Sequence, residues 1–313
     1  MQYRIVLSLA LAGATAVGLA QEKPSLDDRS ASASVSRRVK APRTPLASLQ
    51  VRVNRVLIPA TVTDAEDHKV EGLRKQDFRV LEDGVPREIT DFFIDESPVS
   101  VGIVLDSSNS MRPRFDDARR GVAAFLRLSH PEDEFFLIAV QDQPELLHAF
   151  TADPNAILKE IDWIQPQGWT ALYDGMYLGI NGMRRARHEH RVLLVLSDGG
   201  DNNSRYTETE IKHLVQESDV RIFTISILEH SPIVERLADE SGGRAFRVHN
   251  LQELPEKATA LSALVHGEYV LGFSPANDKR DGKRHAVKVE LANPPKGAHL
   301  HMTWRHGYSA PLE

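Results

Sequence analysis

Cysteine is absent from this sequence of 313 residues. Its absence excludes disulfide bonds, thiolate metal sites, cysteine nucleophiles and a lipid-modified N-terminal cysteine. An excess of positive charge is also missing, because the formal net charge is -6 at pH 7. The sequence therefore gives no global electrostatic indication of nucleic-acid binding. It also contains no glycine-rich phosphate loop and no Gly-x-Ser-x-Gly motif, so nucleotide binding and serine hydrolysis are not indicated.

Long apolar runs are scarce, and the one that could direct the chain to a membrane lies in residues 1–20. Arg4 supplies a positive start, an apolar stretch follows, and Gly18-Leu19-Ala20 fits a small-x-small cleavage site. These features predict a cleaved signal peptide. An uncleaved anchor is the alternative, although the stretch is short for a spanning helix. We therefore expect a periplasmic or secreted bacterial protein with no stable membrane span after cleavage.

The chain is long enough for one domain of ordinary size and a smaller one, and its content of 41% hydrophobic and 26% charged residues is typical of globular proteins. Residues 21–48 are polar, rich in Ser, Pro, Arg and Lys, and without periodicity. Such a composition predicts a disordered linker.

Two apolar runs in the middle of the chain each lead to an aspartate. Residues 101–105 precede Asp106, and residues 192–197 precede Asp198. Runs without polar alternation are typical of strands buried on both faces of a parallel sheet. Strand and helix patterns alternate from residue 100 to 265, which predicts an α/β fold with a doubly wound, mostly parallel sheet. Ligand sites of such sheets lie at the carboxyl ends of the strands.

Oxygen-bearing side chains are concentrated at these predicted strand ends. Asp106, Ser108 and Ser110 lie on one short loop, Thr170 precedes a helical pattern, and Asp198 follows the second apolar run. Hard oxygen ligands suit Mg²⁺ or Mn²⁺ better than zinc or copper. Taken alone, Asp106 would be interpreted as a helix cap with serines that stabilise the turn.

The five residues Asp106, Ser108, Ser110, Thr170 and Asp198 resemble the metal-ion-dependent adhesion site of the von Willebrand factor type A family. The family pattern is Asp-x-Ser-x-Ser, then a distant Thr, then a distant Asp. The resemblance implies that family's Rossmann-like fold and a bound Mg²⁺, with Mn²⁺ or Ca²⁺ as alternatives. It also implies that the three hydroxyls bind the ion, while the aspartates hold it directly or through water. One position is left for an Asp or Glu carboxylate of a partner protein.

The sequence departs from the family pattern next to these residues. Asn109 stands between the two serines, where the family often has Gly, and Asn tolerates the left-handed conformation. Trp169 precedes the threonine, also in place of Gly, and is either packed under the loop or exposed beside the metal. Family practice places Asp201 at the rim. We expect Asn109, Trp169 and Asp201 to contact the partner, because a rim tryptophan is a frequent binding hot spot.

Residues 49–96 and 267–313 have strand patterns, whereas residues 97–266 form the predicted central domain. Asp83-Gly84, between strand patterns at 78–82 and 87–92, predicts a β-hairpin. The first segment also resembles a region found before the A domain in a group of bacterial secreted proteins. The residues on that pattern are Gly72-Leu73, Asp77-Phe78, Val80 and Glu82-Asp83-Gly84. We predict that the two segments pair into one small antiparallel β module, with two unrelated flaps as the alternative.

These observations favour a non-enzymatic, exported, adhesion-type module that captures a partner carboxylate through a divalent cation. A metal-assisted hydrolase that uses the same cation is one alternative, but no general base is identifiable beside the five site residues. A structural module whose site has no occupant is another.

Overall fold

The computed structural model describes residues 55–229, 231–276, 282–292, 294 and 299–310. The predicted signal peptide (1–20) and linker (21–48) lie outside these residues, as do the first residues of the predicted β module. Within the described part of the chain, no helix has both the length and the apolar character needed to cross a membrane.

A six-stranded sheet forms the centre of the molecule. Its strands are β5 (Val99–Asp106), β6 (Glu134–Val140), β7 (Pro144–Thr151), β8 (His190–Ser197), β9 (Val220–Ile227) and β10 (Ala245–Val248). The strand order is β10-β9-β8-β5-β6-β7, and all neighbours are parallel except β7, which runs antiparallel to β6 at one edge. Every residue of β5 and β9 is buried, as strands covered on both faces require. The predicted doubly wound, mostly parallel sheet is confirmed.

Helices cover both faces of this sheet. They are α1 (Phe115–Leu126), α2 (Pro154–Trp163), α3 (Leu172–Gly182), α4 (Glu208–Glu217), α5 (Pro232–Glu240) and α6 (Leu254–Leu264). One core lies between the sheet and α1, α2 and α6, and a second lies between the sheet and α3, α4 and α5. Strand β5 serves both, because Ile103 faces the first core and Val104 the second.

Two helices are shorter than their patterns predict. The pattern after residue 115 extends to Ser129, but α1 ends at Leu126, where the Ser129 hydroxyl donates to the Leu126 carbonyl at 2.7 Å. The pattern after residue 172 extends to Arg187, but α3 ends at Gly182 and continues only as a 3-10 turn, Met183–Arg185. Both differences arise because alternative hydrogen bonds satisfy the last carbonyls of a helix.

The flanking segments form two four-stranded antiparallel sheets that share a core. Their strands are β1 (Val56–Thr63), β2 (Phe78–Glu82), β3 (Val85–Arg87), β4 (Ile89–Asp95), β11 (Glu268–Phe273), β12 (Arg284–Leu291), β13 (His301–Trp304) and β14 (Gly307–Ser309). The sheet orders are β13-β1-β11-β4 and β14-β12-β2-β3. Strand β1 pairs with β11 and β13, and β2 pairs with β12. An antiparallel β module built from both flanks is thus confirmed as part of the fold class, whereas the domain boundaries stay predictions.

The hairpin predicted at Asp83-Gly84 is present, but the strand that follows it is not continuous. Both turn residues have positive φ, 49° and 81°, as a type I′ turn requires. The pattern over residues 87–92 predicts one strand. Instead, β3 ends before Glu88 and β4 passes to the other sheet, where it pairs with β11. The switch places the Ile89 side chain in the core that the two sheets share.

The central domain and the β module meet where the chain passes between them. Asp95, at the end of β4, is the cross-strand partner of Glu268, at the start of β11. The Glu268 carboxylate is buried and forms an ion pair with Arg221 of β9. His190 of β8 lies 3.0 Å from the Asp95 carboxylate. Charged groups therefore connect the central sheet directly to the module.

Candidate metal centre

Three loops meet at one rim of the central sheet. Strand β5 ends at Asp106, β8 ends just before Asp198, and the segment that precedes α3 carries Thr170. Backbone hydrogen bonds join the first and third loops, because Asn109 N donates to the Gly168 carbonyl at 3.0 Å. This is the carboxyl rim at which open α/β sheets place their ligands. The structure brings all five sequence-predicted ligands to this rim.

Asp106 lies at the base of the site and is fully buried. Its Oδ1 accepts a hydrogen bond from Ser108 N at 2.9 Å, and its Oδ2 accepts one from Ser197 Oγ at 2.6 Å. Burial raises the pKa of the Asp106 carboxyl, these hydrogen bonds oppose the rise, and the Asp198 carboxylate adds to it. A nearby cation would favour the charged form of this buried carboxyl.

Ser108, Ser110 and Asp198 present a row of closely spaced oxygens. The two serine Oγ atoms are 3.0 Å apart, and Ser110 Oγ donates to Asp198 Oδ1 at 2.9 Å. In an octahedron with magnesium–oxygen bonds of roughly 2.1 Å, neighbouring ligand oxygens lie about 3.0 Å apart. The two oxygen–oxygen separations, 3.0 and 2.9 Å, therefore match the distance between neighbouring ligand oxygens around Mg²⁺.

Thr170 reaches the same cavity from another loop. Its backbone is fixed by Asn202, whose Oδ1 accepts from Thr170 N at 2.8 Å and whose N donates to the Thr170 carbonyl at 3.0 Å. The Thr170 hydroxyl forms no hydrogen bond with any other described residue. It lines an open cavity of about 450 Å³ together with Ser108 and Ser110. A fixed backbone with a free hydroxyl suits a metal ligand.

The donor set fits a hard divalent cation. Two carboxylates and three hydroxyls supply only oxygen, which Mg²⁺ prefers. Elsewhere in the described part of the chain, three or more His, Cys, Asp or Glu side chains do not gather in an arrangement that could hold a metal ion. The candidate site is not a group of that kind, because only two of its side chains, Asp106 and Asp198, are acidic and the other three are hydroxyls.

Arg114 also contacts the candidate site, although no sequence pattern predicted it. It ends a short 3-10 helix, Asn109–Arg114, and its Nη1 lies 2.6 Å from Asp198 Oδ2. The Asp198 side chain is 4% exposed and that of Arg114 is 22% exposed. The two residues are 84 positions apart in the chain. No local sequence pattern indicates a pairing over that distance.

The three predicted rim residues have different environments. Trp169 is 65% exposed beside the cavity, so the exposed alternative is the one observed. Asn109 is exposed in the same loop as the serines. The Asp201 carboxylate is already engaged, since Oδ1 accepts from Tyr173 N at 3.2 Å at the start of α3. Asp201 thus stabilises the loop, and contact of the three residues with a partner stays a prediction.

The position of Trp169 follows from the turn that precedes it. Gly168 has φ +73°, and a Cβ atom there would lie 2.7 Å from the Asp142 side chain. The same carboxylate accepts a hydrogen bond from Trp169 N at 2.7 Å. This turn directs the indole outward instead of under the loop.

Comparison with known proteins agrees with the fold. The family model for the von Willebrand factor type A domain matches residues 101–200. A von Willebrand factor type A structure from Catenulispora acidiphila is similar over 84% of this chain and 75% of that chain, with a TM-score of 0.50 and 13% identity. No curated protein sequence matches the chain.

Two further solved structures cover a smaller part of the chain. They are an aerotolerance-related membrane protein from Bacteroides fragilis, with a TM-score of 0.45, and the conserved hypothetical protein BatB from Bacteroides thetaiotaomicron, with a TM-score of 0.44. Each is 17% identical and covers 53% of this chain and 98% of its own.

The buried central strands, the order of the rim residues and the family match agree with one another. Residues 101–200 of this chain therefore match the von Willebrand factor type A domain family, and the fold around them agrees with that match.

Proposed function

We propose that this protein is an exported, non-enzymatic binding module that captures a carboxylate of a partner protein through a divalent cation. The cation is held by Asp106, Ser108, Ser110, Thr170 and Asp198. The observation that carries the proposal is the oxygen row of Ser108, Ser110 and Asp198, with separations of 3.0 and 2.9 Å beside an open cavity.

The chemistry of the site follows from its charge. A divalent cation bound here would supply a strong Lewis acid beside the open cavity that Ser108, Ser110 and Thr170 line. Two carboxylates neutralise its charge but add no net negative charge that would repel a third, external carboxylate. Mg²⁺ is reluctant to exchange water, and an anionic oxygen is among the ligands that can replace it. The hydroxyls of Ser108, Ser110 and Thr170 complete the shell without adding negative charge.

The surroundings of the site favour binding over hydrolysis. Among the described residues, the basic side chain bonded to the five ligands is Arg114, and a guanidinium does not give up its proton in a protein. A general base is therefore not placed on these groups. Exposed Trp169 offers an aromatic surface at the edge of the cavity, which suits a protein partner.

Calorimetric titration of the purified protein with Mg²⁺, and separately with Ca²⁺ and Mn²⁺, tests the proposal. We expect a saturable heat and a rise in melting temperature for the native sequence. Asp106→Ala should abolish both. Asp116→Ala is the matched control, because its carboxylate is 83% exposed on α1 and it should bind the metal as the native protein does. Absence of metal-linked heat and stabilisation in the native protein would contradict the proposal.

The partner is tested separately. The immobilised protein is incubated with the native extracellular fraction in Mg²⁺ or in EDTA. We expect a protein that is retained in Mg²⁺, released by EDTA and not retained by Asp106→Ala. Equal retention in EDTA would place the interface away from the metal.

A further inference from the structure

Asp198 uses its two oxygens for two different partners. Oδ1 accepts from Ser110 Oγ at 2.9 Å, within the row of predicted metal ligands. Oδ2 accepts from Arg114 Nη1 at 2.6 Å. The carboxylate is almost completely buried, so its ion pair is only weakly screened by water and salt. A cation supplied by the chain thus lies at the edge of a site predicted to hold a metal cation.

The location of Arg114 fixes this contact. Pro113 precedes it within the 3-10 helix, and buried Phe115 begins α1 immediately after it. The backbone on both sides is therefore held, and the guanidinium reaches Asp198 from a fixed starting point. Arg112, two residues earlier, is exposed and bonds instead to the Pro166 carbonyl at 3.2 Å. The two arginines share a loop and a charge, but only one contacts a predicted ligand.

We propose that Arg114 is a built-in counter-ion that sets how strongly the site binds its divalent cation. This inference rests on the proposed function. Without a metal, Arg114 neutralises Asp198 and relieves its repulsion with Asp106. With a metal bound, the guanidinium repels the ion and withdraws negative charge from one of its ligands. The site is thereby tuned towards weaker metal binding and stronger attraction for an external carboxylate.

Electrostatics gives the direction and the scale of the effect. A positive charge a few ångströms from a dication in a partly buried environment weakens binding by about tenfold or more. The same charge attracts the incoming partner anion. A purely structural Arg114 would change stability equally with and without metal, whereas a counter-ion changes the metal dependence itself.

The test compares Arg114→Gln, Arg114→Lys and Arg112→Gln in the full protein, with MgCl₂ as the probe. Isothermal titration measures the dissociation constant, and melting temperature is recorded in EDTA and in saturating Mg²⁺. We expect Arg114→Gln to bind Mg²⁺ about tenfold or more tightly than the native protein. It should be less stable in EDTA and regain most of that loss in Mg²⁺. Arg112→Gln removes the same charge from the same loop and should match the native protein.

Arg114→Lys separates the effect of the charge of Arg114 from the effect of its shape. A lysine keeps the charge but loses the planar fork of the guanidinium. We expect its Mg²⁺ affinity to stay within a few-fold of the native value, whereas an affinity equal to that of Arg114→Gln would overturn the role of charge. If Arg114→Gln does not fold in EDTA, folding restored by Mg²⁺ still supports the counter-ion.

The outcomes separate this inference from the proposed function. Equal Mg²⁺ affinity for the native protein, Arg114→Gln and Arg112→Gln would overturn the role of Arg114 and leave the metal site intact. If Arg114→Gln binds Mg²⁺ and the native protein does not, the result would support the counter-ion role of Arg114 and contradict metal use by the native protein. No binding by any variant would overturn both.

Discussion

The strands of the central domain and those of the β module contribute to their cores with different burial patterns. Strand β5 is buried along its whole length, and its apolar run is continuous from Val101 to Leu105 apart from a glycine. Strand β2 alternates, with Phe78 and Val80 facing the core and Arg79 facing solvent. A strand covered on both faces is identified by its own residues. A strand covered on one face also needs a partner sheet, and in this module that partner comes from the other end of the chain.

Charges are also used differently in the two regions. At the rim of the central sheet, carboxylates collect where a cation is predicted. In the β module, the buried carboxylate of Glu82 is satisfied internally. It accepts from Arg87 Nε at 2.8 Å, from Ala276 N at 2.9 Å and from the Tyr308 hydroxyl. A buried carboxylate is thus a predicted metal ligand in the central domain, whereas in the β module it stabilises the fold through internal hydrogen bonds.

The largest expected effect tests whether the two regions are one folding unit. Arg221→Met leaves the buried Glu268 carboxylate without its counter-charge. We expect a loss of about 3–5 kcal/mol in the free energy of unfolding, measured by urea denaturation with separate probes for each region. A double variant, Arg221→Met with Glu268→Leu, should recover most of the loss because no lone charge remains.

The control for that prediction is a surface pair. Arg236 and Glu208 are 3.0 Å apart and both more than half exposed. Arg236→Met should cost less than about 1 kcal/mol. If Arg221→Met is equally mild, the ion pair does not couple the module to the central sheet.

A smaller loss is expected inside the β module. Glu82→Gln weakens the three hydrogen bonds to Arg87, Ala276 and Tyr308 and removes the ion pair with Arg87. We expect about 2 kcal/mol of destabilisation, with Mg²⁺ affinity unchanged. Glu88→Gln, on an exposed position six residues along, should be neutral. A change in Mg²⁺ affinity would show that the module is not independent of the metal centre.

The same carboxylate predicts an acid dependence. Burial opposes ionisation of Glu82, but bonds from Tyr308, Ala276 and Arg87 outweigh it and lower the pKa of its carboxyl. Its contribution to stability is therefore complete above the unfolded-state pKa of about 4.3 and is lost as the pH falls through the folded-state pKa. Urea unfolding from pH 7 to 3 should show a steeper acid decline for the native protein than for Glu82→Gln. Parallel curves would contradict the assignment.

Glu268 should behave in the opposite sense. Burial raises the pKa of its carboxyl although Arg221 opposes the rise. Its charged form is disfavoured in the fold, so this cost is present above the folded-state pKa and is relieved as the pH falls towards the unfolded value. Comparison of Glu268→Gln with Glu82→Gln over the same pH range should therefore give changes of opposite sign.

The smallest effect concerns a local feature of the central domain. Asp153 begins α2, where its Oδ1 accepts from Asn155 N at 2.9 Å, and Pro154 is the first helical residue. Asp153→Ala should cost about 1 kcal/mol, measured by thermal unfolding. Asp162→Ala, exposed near the other end of the helix, should have little effect. A loss as large as that of Arg221→Met would mean that α2 is more than a locally capped helix.

These cases show how much of the structure could be predicted from the sequence. The apolar strands and the Asp83-Gly84 turn depend on neighbouring residues, and each was predicted. Strand β14, only three residues long, was missed because Gly-Tyr-Ser carries no periodicity. The break at Glu88 was missed because it depends on which sheet accepts the following strand.

For the candidate site, the sequence indicated which residues reach the rim but not how they interact. The resemblance to the family pattern names five oxygen-bearing residues, and the structure brings them to one rim, but their binding of a metal stays a prediction. The Arg114–Asp198 pair depends on the relative placement of two loops. The orientation of Trp169 depends on Asp142, which belongs to a third. Such contacts are determined by tertiary packing, which a single sequence does not reveal.

The pairing of Asp95 with Glu268 has a consequence for how this architecture can vary. Strands β4 and β11 are antiparallel neighbours, so the whole central domain occupies the place of a turn between them. Loop closure costs only about 0.6 kcal/mol for each doubling of length, so the strand pair tolerates a large guest whose two ends lie side by side. The central domain is thus an insertion between two neighbouring strands of the β module, and its length can change without separating those strands.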